Sequence, residues 1–368
     1  GYLASRVITT GSNNVSVGAG GNLGANTTGA SNVAVGYASL SGNTTASNNV
    51  AVGFNSLGAN TTGGDNTASG YDSLGDNTTG SFNSGVGYEA LARNTTASNN
   101  TAMGYRSLKT NTTGGSNIAI GTAALQANTT GSNNIGMGYH ALVGQTTGEN
   151  NVAIGFTAGH DMSTGNSNVS MGTQAGYANT TGVNNVAIGR DTLLANTTGN
   201  GNTAVGRNAG DSITTGENNA FLGLRAGHTF TTGSNNVCVG YEAGGSSTTD
   251  NNQLWIARSS GAVNSAGVWV YGDASGRCYQ GNNSSSWSTT SDERIKKDIV
   301  DSPNGLAKID AMQVRNFNYK TQEEITEGGF TACDSEGLQT GVIAQELESV
   351  LPECIVESDD GMKRVNID

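Results

Sequence analysis

Asn49-Val50-Ala51-Val52-Gly53 is one of fourteen closely similar phrases in this chain, and their spacing constrains the fold more than any other feature. The leading asparagines are Asn14, Asn32, Asn49, Asn66, Asn83, Asn100, Asn117, Asn134, Asn151, Asn168, Asn185, Asn202, Asn219 and Asn236. After a first step of 18 residues every step is 17. A glycine always follows four positions later, as in Gly53, Gly121 and Gly189, and a threonine always stands four positions earlier. A fixed period of this kind is the mark of a stacked repeat. Seventeen residues are too few for a helical hairpin, and apolar–small–apolar triplets such as Val50-Ala51-Val52 have the period of a strand. The glycine permits a turn or close approach that a Cβ would block. NTTG and TTGS supply turn residues, and an asparagine kept in register can share amide hydrogen bonds with its copies.

The expected coil therefore holds two or three short strands, and at ~4.8 Å per coil fourteen coils make a rod about 65 Å long. A coil this small encloses little apolar volume. The small middle column (Ala51, Ala119, Ala187, with Phe221 as exception) is expected on the outer face, against identical chains around an axis. The column after the glycine is aromatic early (Tyr37, Phe54, Tyr71, Tyr88, Tyr105) and basic later (Arg190, Arg207). Core or groove packing is the expectation for those rings, a ligand surface the alternative.

Composition excludes several function classes. The chain has 56 Gly, 2 Pro, 12% charged residues and net charge −12, with no Lys/Arg cluster, which argues against a nucleic-acid partner. No apolar run is long enough for a membrane span, so no membrane insertion is expected. Cys238, Cys278, Cys333 and Cys354 form no CxxC pair and read as small buried residues. The histidines His140, His160 and His228 suggest no shared metal within one chain, and neither cofactor nor metal is expected. NTT matches a glycosylation sequon at Asn43, Asn60 and seven other sites, with a plain turn as the competing reading. Paired Thr residues point to opposite faces, giving one outward column rather than the paired ranks of an ice-binding surface.

Residues 1–9 read as an entry segment of a fragment, 10–245 as the repeat rod, 246–290 as a β connector or cap, and 291–368 as a separate α+β domain. In the last, a short helix is expected around Gly305–Met312, a strand over Val314–Tyr319 and a helix over Ile343–Val350.

The NxAxG repeats resemble the heads of trimeric autotransporter adhesins (YadA-like) and matching segments of bacteriophage tail fibres. That resemblance implies a mostly β fold, a trimeric left-handed parallel β-roll. A second resemblance lies in Ser291-Asp292-Glu293-Arg294-Ile295-Lys296-Lys297-Asp298-Ile299, Phe317-Asn318-Tyr319, Gly341-Val342-Ile343-Ala344-Gln345-Glu346-Leu347, Pro352-Glu353 and Val365-Asn366. These segments, in this order, resemble the intramolecular chaperone domain of endosialidase-type tail spikes and tail fibres. The resemblance implies a domain that trimerises, guides folding of the β-structure before it, then cuts itself off. It places the family's Ser–Lys pair on Ser291 and Lys296, with Asp292 and Arg294 in support. A Ser hydroxyl attacks a carbonyl only with a base, and Lys can serve once burial makes it neutral. The same stretch also reads as a helix capping box, Thr290 to Glu293. The family continues into long C-terminal helices where this chain stops at Asp368, so the domain is expected to be C-terminally incomplete.

Together these readings give a homotrimeric phage tail-fibre or tail-spike component of the virion, made in the host cytoplasm. Its expected partners are its own copies, other tail proteins and a host surface receptor or glycan. Its only expected chemistry is single-turnover autoproteolysis. The alternative is a bacterial surface adhesin with a retained trimerisation domain. Scattered acids such as Asp65, Asp72, Glu89, Glu149 and Asp161 make no glycosidase pair.

Overall fold

A computed structural model describes residues 7–244, 248–258, 268–272, 278–280, 305–318, 338–357 and 363–365. The chain divides into two compact units, Gly1–Ser286 and Trp287–Asp368. The first is a parallel β-solenoid. Its strands run from β1 (Val15–Ala19) and β2 (Val33–Tyr37) through three-residue strands from β3 (Val50–Val52) to β14 (Val237–Val239), one per repeat. Each pairs in parallel with its neighbour in the register of the repeat, Val50 on Thr67, Ala51 on Ala68, Val52 on Ser69. The parallel ladder continues through β15 (Leu254–Ala257). Antiparallel β16 (Val268–Gly272) and β17 (Cys278–Gln280) then complete the sheet.

Each coil carries one strand, where two or three were expected. Backbone conformation explains the difference. Within the coil after Asn49, Gly53 has φ +137°, and Asn55, Leu57 and Asp65 lie at φ +52°, +50° and +58°. Left-handed residues recurring this often turn the chain too sharply for a second strand. The turns nevertheless stack as a ladder of their own. Thr61 N–H donates to Thr78 O at 2.9 Å, and Thr44 Oγ1 donates to Thr61 O at 3.0 Å, one coil on.

The faces of the strand are also reversed from expectation. The small column points inward, with Ala51 0% exposed, while Val50 and Val52 are 37% and 39% exposed. The interior accommodates two small side chains (Ala51 and Ser56 in this coil), one Leu and two amides, so the larger apolar side chains of the strand face out. Leu57 fills the core from a left-handed backbone position. Its conformation costs ~1–2 kcal/mol and its burial returns a similar amount, so packing only just justifies the strain.

The inner columns exchange volume along the rod. The Leu position becomes Gly159, Gly176, Gly210, Gly227 and Gly244 in later coils, and three residues after Gly159, Gly210 and Gly227 the usual Asn becomes Met162, Ile213 and Phe230, all buried. Phe221, the one large residue in the small column, occupies space that the glycines leave. A Cβ on Gly210 would lie 2.6 Å from its Cδ2, and one on Gly227 2.3 Å from its Cδ1. Trp255 continues the inner column near the end of the ladder, edge-on to Tyr271 of β16.

The second unit holds α1 (Gly305–Ala311), an antiparallel pair of β18 (Val314–Phe317) with β19 (Gln339–Val342), α2 (Ala344–Glu348), a 3-10 turn at Pro352–Cys354, and a second antiparallel pair of β20 (Ile355–Glu357) with β21 (Lys363–Val365). The helices and the first strand stand within about two residues of their expected limits.

Volume exchange makes a double-mutant cycle informative. Phe221→Ala should cost ~3–5 kcal/mol through the cavity it leaves, and Gly210→Leu should destabilise by overpacking against Phe221. Combined, they should be milder than the sum by about 1 kcal/mol or more, read as shifts in thermal unfolding. Strict additivity would show that the two positions do not share volume.

Candidate functional site

Ser291, Asp292, Arg294 and Lys296, the residues proposed for self-cleavage from the sequence, lie outside the described residues. The described part of the same unit is tied together by Arg315 of β18. Its guanidinium donates from Nε to Glu346 Oε2 at 3.0 Å and from an Nη to Oε1 at 2.9 Å, joining strand to α2. That fork holds the Glu346 carboxyl below its usual range. Thr340 Oγ1 donates to Asn316 Oδ1 at 2.7 Å across the strand pair. Most of β18 is exposed, including Val314. A two-stranded sheet with so much exposed surface gains little stability alone.

On the solenoid, the repeat columns do structural work. Asn49 N–H donates to Asn32 Oδ1 at 3.0 Å, its Nδ2 donates to Gly63 O at 3.0 Å, and its own Oδ1 accepts from Asn66 N–H at 2.9 Å. Asn117 and Asn185 repeat this pattern, through Asn100 Oδ1 and Gly131 O, and through Asn168 Oδ1 and Gly199 O. Each asparagine is buried and fixes the coils on both sides of it. The paired glycines are constrained just as tightly: a Cβ on Gly53 would stand 2.2 Å from Gly70 O, on Gly121 2.5 Å from Gly138 O, and on Gly189 2.7 Å from Gly206 O.

A second amide ladder was not recognised from the sequence. From Asn43 to Asn128 the asparagines of the NTT triplets donate from Nδ2 to Oδ1 of the copy one coil earlier, Asn60 to Asn43 at 3.1 Å and Asn77 to Asn60 at 2.8 Å. Each also donates to the carbonyl three residues on, as Asn60 does to Gly63 O at 2.9 Å. Burial and double use of Nδ2 leave no room for a glycan there in the folded coil. The signal was present in the fixed position of Asn within the repeat, obscured by its match to a sequon.

The aromatic column lies on the surface rather than in the core. Tyr37, Phe54, Tyr71, Tyr88 and Tyr105 are exposed and stack in series, with ring centroids 5.0–5.4 Å apart. In-register parallel strands bring the rings to the coil spacing, and contact with one another replaces contact with a core. Beside them Glu89 Oε2 accepts from Lys109 Nζ and Arg106 Nε, each at 2.7 Å. The Lys109 ammonium, ahead of Arg106, holds the Glu89 carboxyl below its usual range. A shorter aromatic run includes Tyr139 and Phe156, with His140 against Tyr139 and His160 against Tyr177. Burial, then the nearby His160, lowers the His140 pKa. Among the described residues no group of three or more His, Cys, Asp or Glu side chains could hold a metal ion, and no helix is long and apolar enough to cross a membrane.

Asn49→Ala would orphan the buried Asn66 N–H and remove one of the two donors to Gly63 O, the other being Asn60 Nδ2, and should lower stability by ~1–3 kcal/mol. Thr45→Ala, exposed in the turn before it and outside the left-handed region, should cost well under that; equal losses in thermal melts would remove the ladder's special standing.

No solved structure matches the chain. Residues 291–356 match the family described as chaperone of endosialidase, a match that begins at Ser291 and includes Lys296, Arg315 and Glu346.

Proposed function

We propose that the chain is the homotrimeric stalk of a phage tail fibre or tail spike, built on YadA-like coils and assembled by its C-terminal chaperone domain. The observation that carries this reading is the outward face of the solenoid. Val50, Val52, Met103, Ile118, Met137, Met171, Ile188, Leu222 and Val237 are all exposed on strands of one continuous ladder. A soluble monomer rarely keeps so long an apolar strip open to water, and a closed ring of identical chains covers it with no edge left over. Three chains packed through these columns bury them along the axis and leave the turn columns outside.

The chaperone match supports the assembly half of the reading. In-register pairing of many short, similar strands invites slips by one coil, because a shifted register satisfies most of the same contacts. A domain that fixes chain number and alignment before the rod closes removes that ambiguity. Its release by attack of Ser291, with Lys296 as base, leaves a product that cannot retrace its folding path. Host attachment then follows from a stiff rod that displays side-chain columns to a surface.

Two measurements test this. The intact mass of the purified chain should end next to Ser291, and that of a Ser291→Ala variant should be the whole chain. If both stay whole, the self-cleavage assignment falls. Light scattering should give three chains per particle, and Val52→Glu with Ile188→Glu should shift the particle to one chain. A monomeric wild type would remove the trimer.

A further inference from the structure

The column after the strand-ending glycine changes chemistry along consecutive coils: Tyr139, Phe156, Thr173, Arg190, Arg207. Phe156 stacks on Tyr139 with centroids 5.2 Å apart and planes 8° from parallel. On the next coil the column holds Thr173, so no aromatic partner from its own column covers the second face of Phe156, which is 53% exposed. Two arginines follow directly. Their strands pair in register, Val186 on Thr203 and Ile188 on Val205, which brings the two side chains to one coil spacing, ~4.8 Å at their roots.

Two cations at that distance repel. Both arginines stand two residues past these paired strands, where like charges rooted one coil apart are unfavourable neighbours. Asp191 approaches Arg190 at 3.3 Å, while Arg207 has no carboxylate partner among the described residues. The surplus positive charge stands out in a chain whose net charge is −12. An anion placed between the guanidinium groups would relieve the repulsion, and their planar forks suit a carboxylate or phosphate. Two coils before Arg190 the half-exposed ring of Phe156 offers an apolar plane, and the exposed Thr173 between offers a hydroxyl.

We propose that this stretch binds an acidic sugar: a pyranose ring seated on Phe156 above Thr173, with its carboxylate or phosphate held by Arg190 and Arg207. The site lies on one chain, outside the apolar columns assigned to the trimer. It names a ligand class for the attachment reading and rests on it, whereas cleavage and chain number are measured independently of any sugar. The long aromatic series from Tyr37 to Tyr105 is a weaker candidate, because the ring faces within it are taken up by one another.

The test is calorimetric titration of the full chain with trigalacturonate and with mannose 6-phosphate, against neutral galactotriose. At least one acidic probe should bind, about tenfold or more tighter than the neutral one, and binding should weaken with salt. A preference between the two acidic probes would identify carboxylate or phosphate as the group recognised. Arg190→Gln with Arg207→Gln should weaken binding about tenfold or more. Phe156→Ala should weaken it for both acidic and neutral sugars. Without sugar, the double Gln variant should melt close to wild type, since the repulsion and the exposed Arg190–Asp191 pair that it removes are both small. Absence of binding by both acidic probes, equal binding of the neutral sugar, or unchanged binding by the double variant would each overturn the proposal.

Discussion

The structure depends on amide groups stacked inside a coil that has almost no interior. In the coil after Asn49, seventeen residues wrap around Ala51 from the strand, Ser56 and the left-handed Leu57 from the turn, and the asparagines Asn49 and Asn60. Buried amides with unmet hydrogen bonds would be costly. Here most are satisfied by the coil before and the coil after, as Asn49 is by Asn32, Asn66 and Gly63, with Oδ1 of Asn128 and Asn196 as exceptions. Stability is therefore a property of stacking rather than of any single coil. A residue inserted in one coil disturbs the partners of two others, which accounts for the rigidity of the period. The 18-residue first step is accommodated at the first coil, around the consecutive left-handed Gly20 and Gly21.

Because the amides take much of the interior, there is no place inside for the larger apolar residues of the strand. This was the feature least legible in the sequence. An alternating Val-Ala-Val shows two faces but not which of them is inner, and ordinary hydrophobic reasoning puts Val inside. What reverses the choice is volume, and volume depends on the turns. The sequence could have signalled it through Leu57 and its copies, which stand where a left-handed turn residue would be expected but keep an apolar identity from coil to coil. The same information explains Phe221, an anomaly in its own column until the glycines at 210 and 227 are seen beside it.

Other features were legible because each is local. Strand position, the glycine after it, in-register parallel stacking and the outward second Thr of each TT pair all follow from residue type and period. The number of strands per coil does not, since left-handed conformations at Asn55, Leu57 and Asp65 are not encoded by glycines. In the C-terminal unit, α2 and the strands beside it follow the apolar pattern, and the pairing of Arg315 with Glu346 across 31 residues has no local signal. The NTT asparagines show a related limit: a motif recognised for its chemistry in one context carries a structural amide in another.

The exposed columns then follow from the closed interior. A solenoid that cannot bury its valines must present them, and the choice left to the chain is what to present beside them. Aromatic rings at the coil spacing satisfy one another, so a column can hold five in series without a core. Arginines at the same spacing cannot, because their charges repel where rings attract. The change from Tyr139 and Phe156 to Arg190 and Arg207 within one column thus replaces rings that satisfy one another with cations that do not, Arg190 finding only Asp191 beside it. A column whose side chains cannot satisfy one another marks where something from outside would bind.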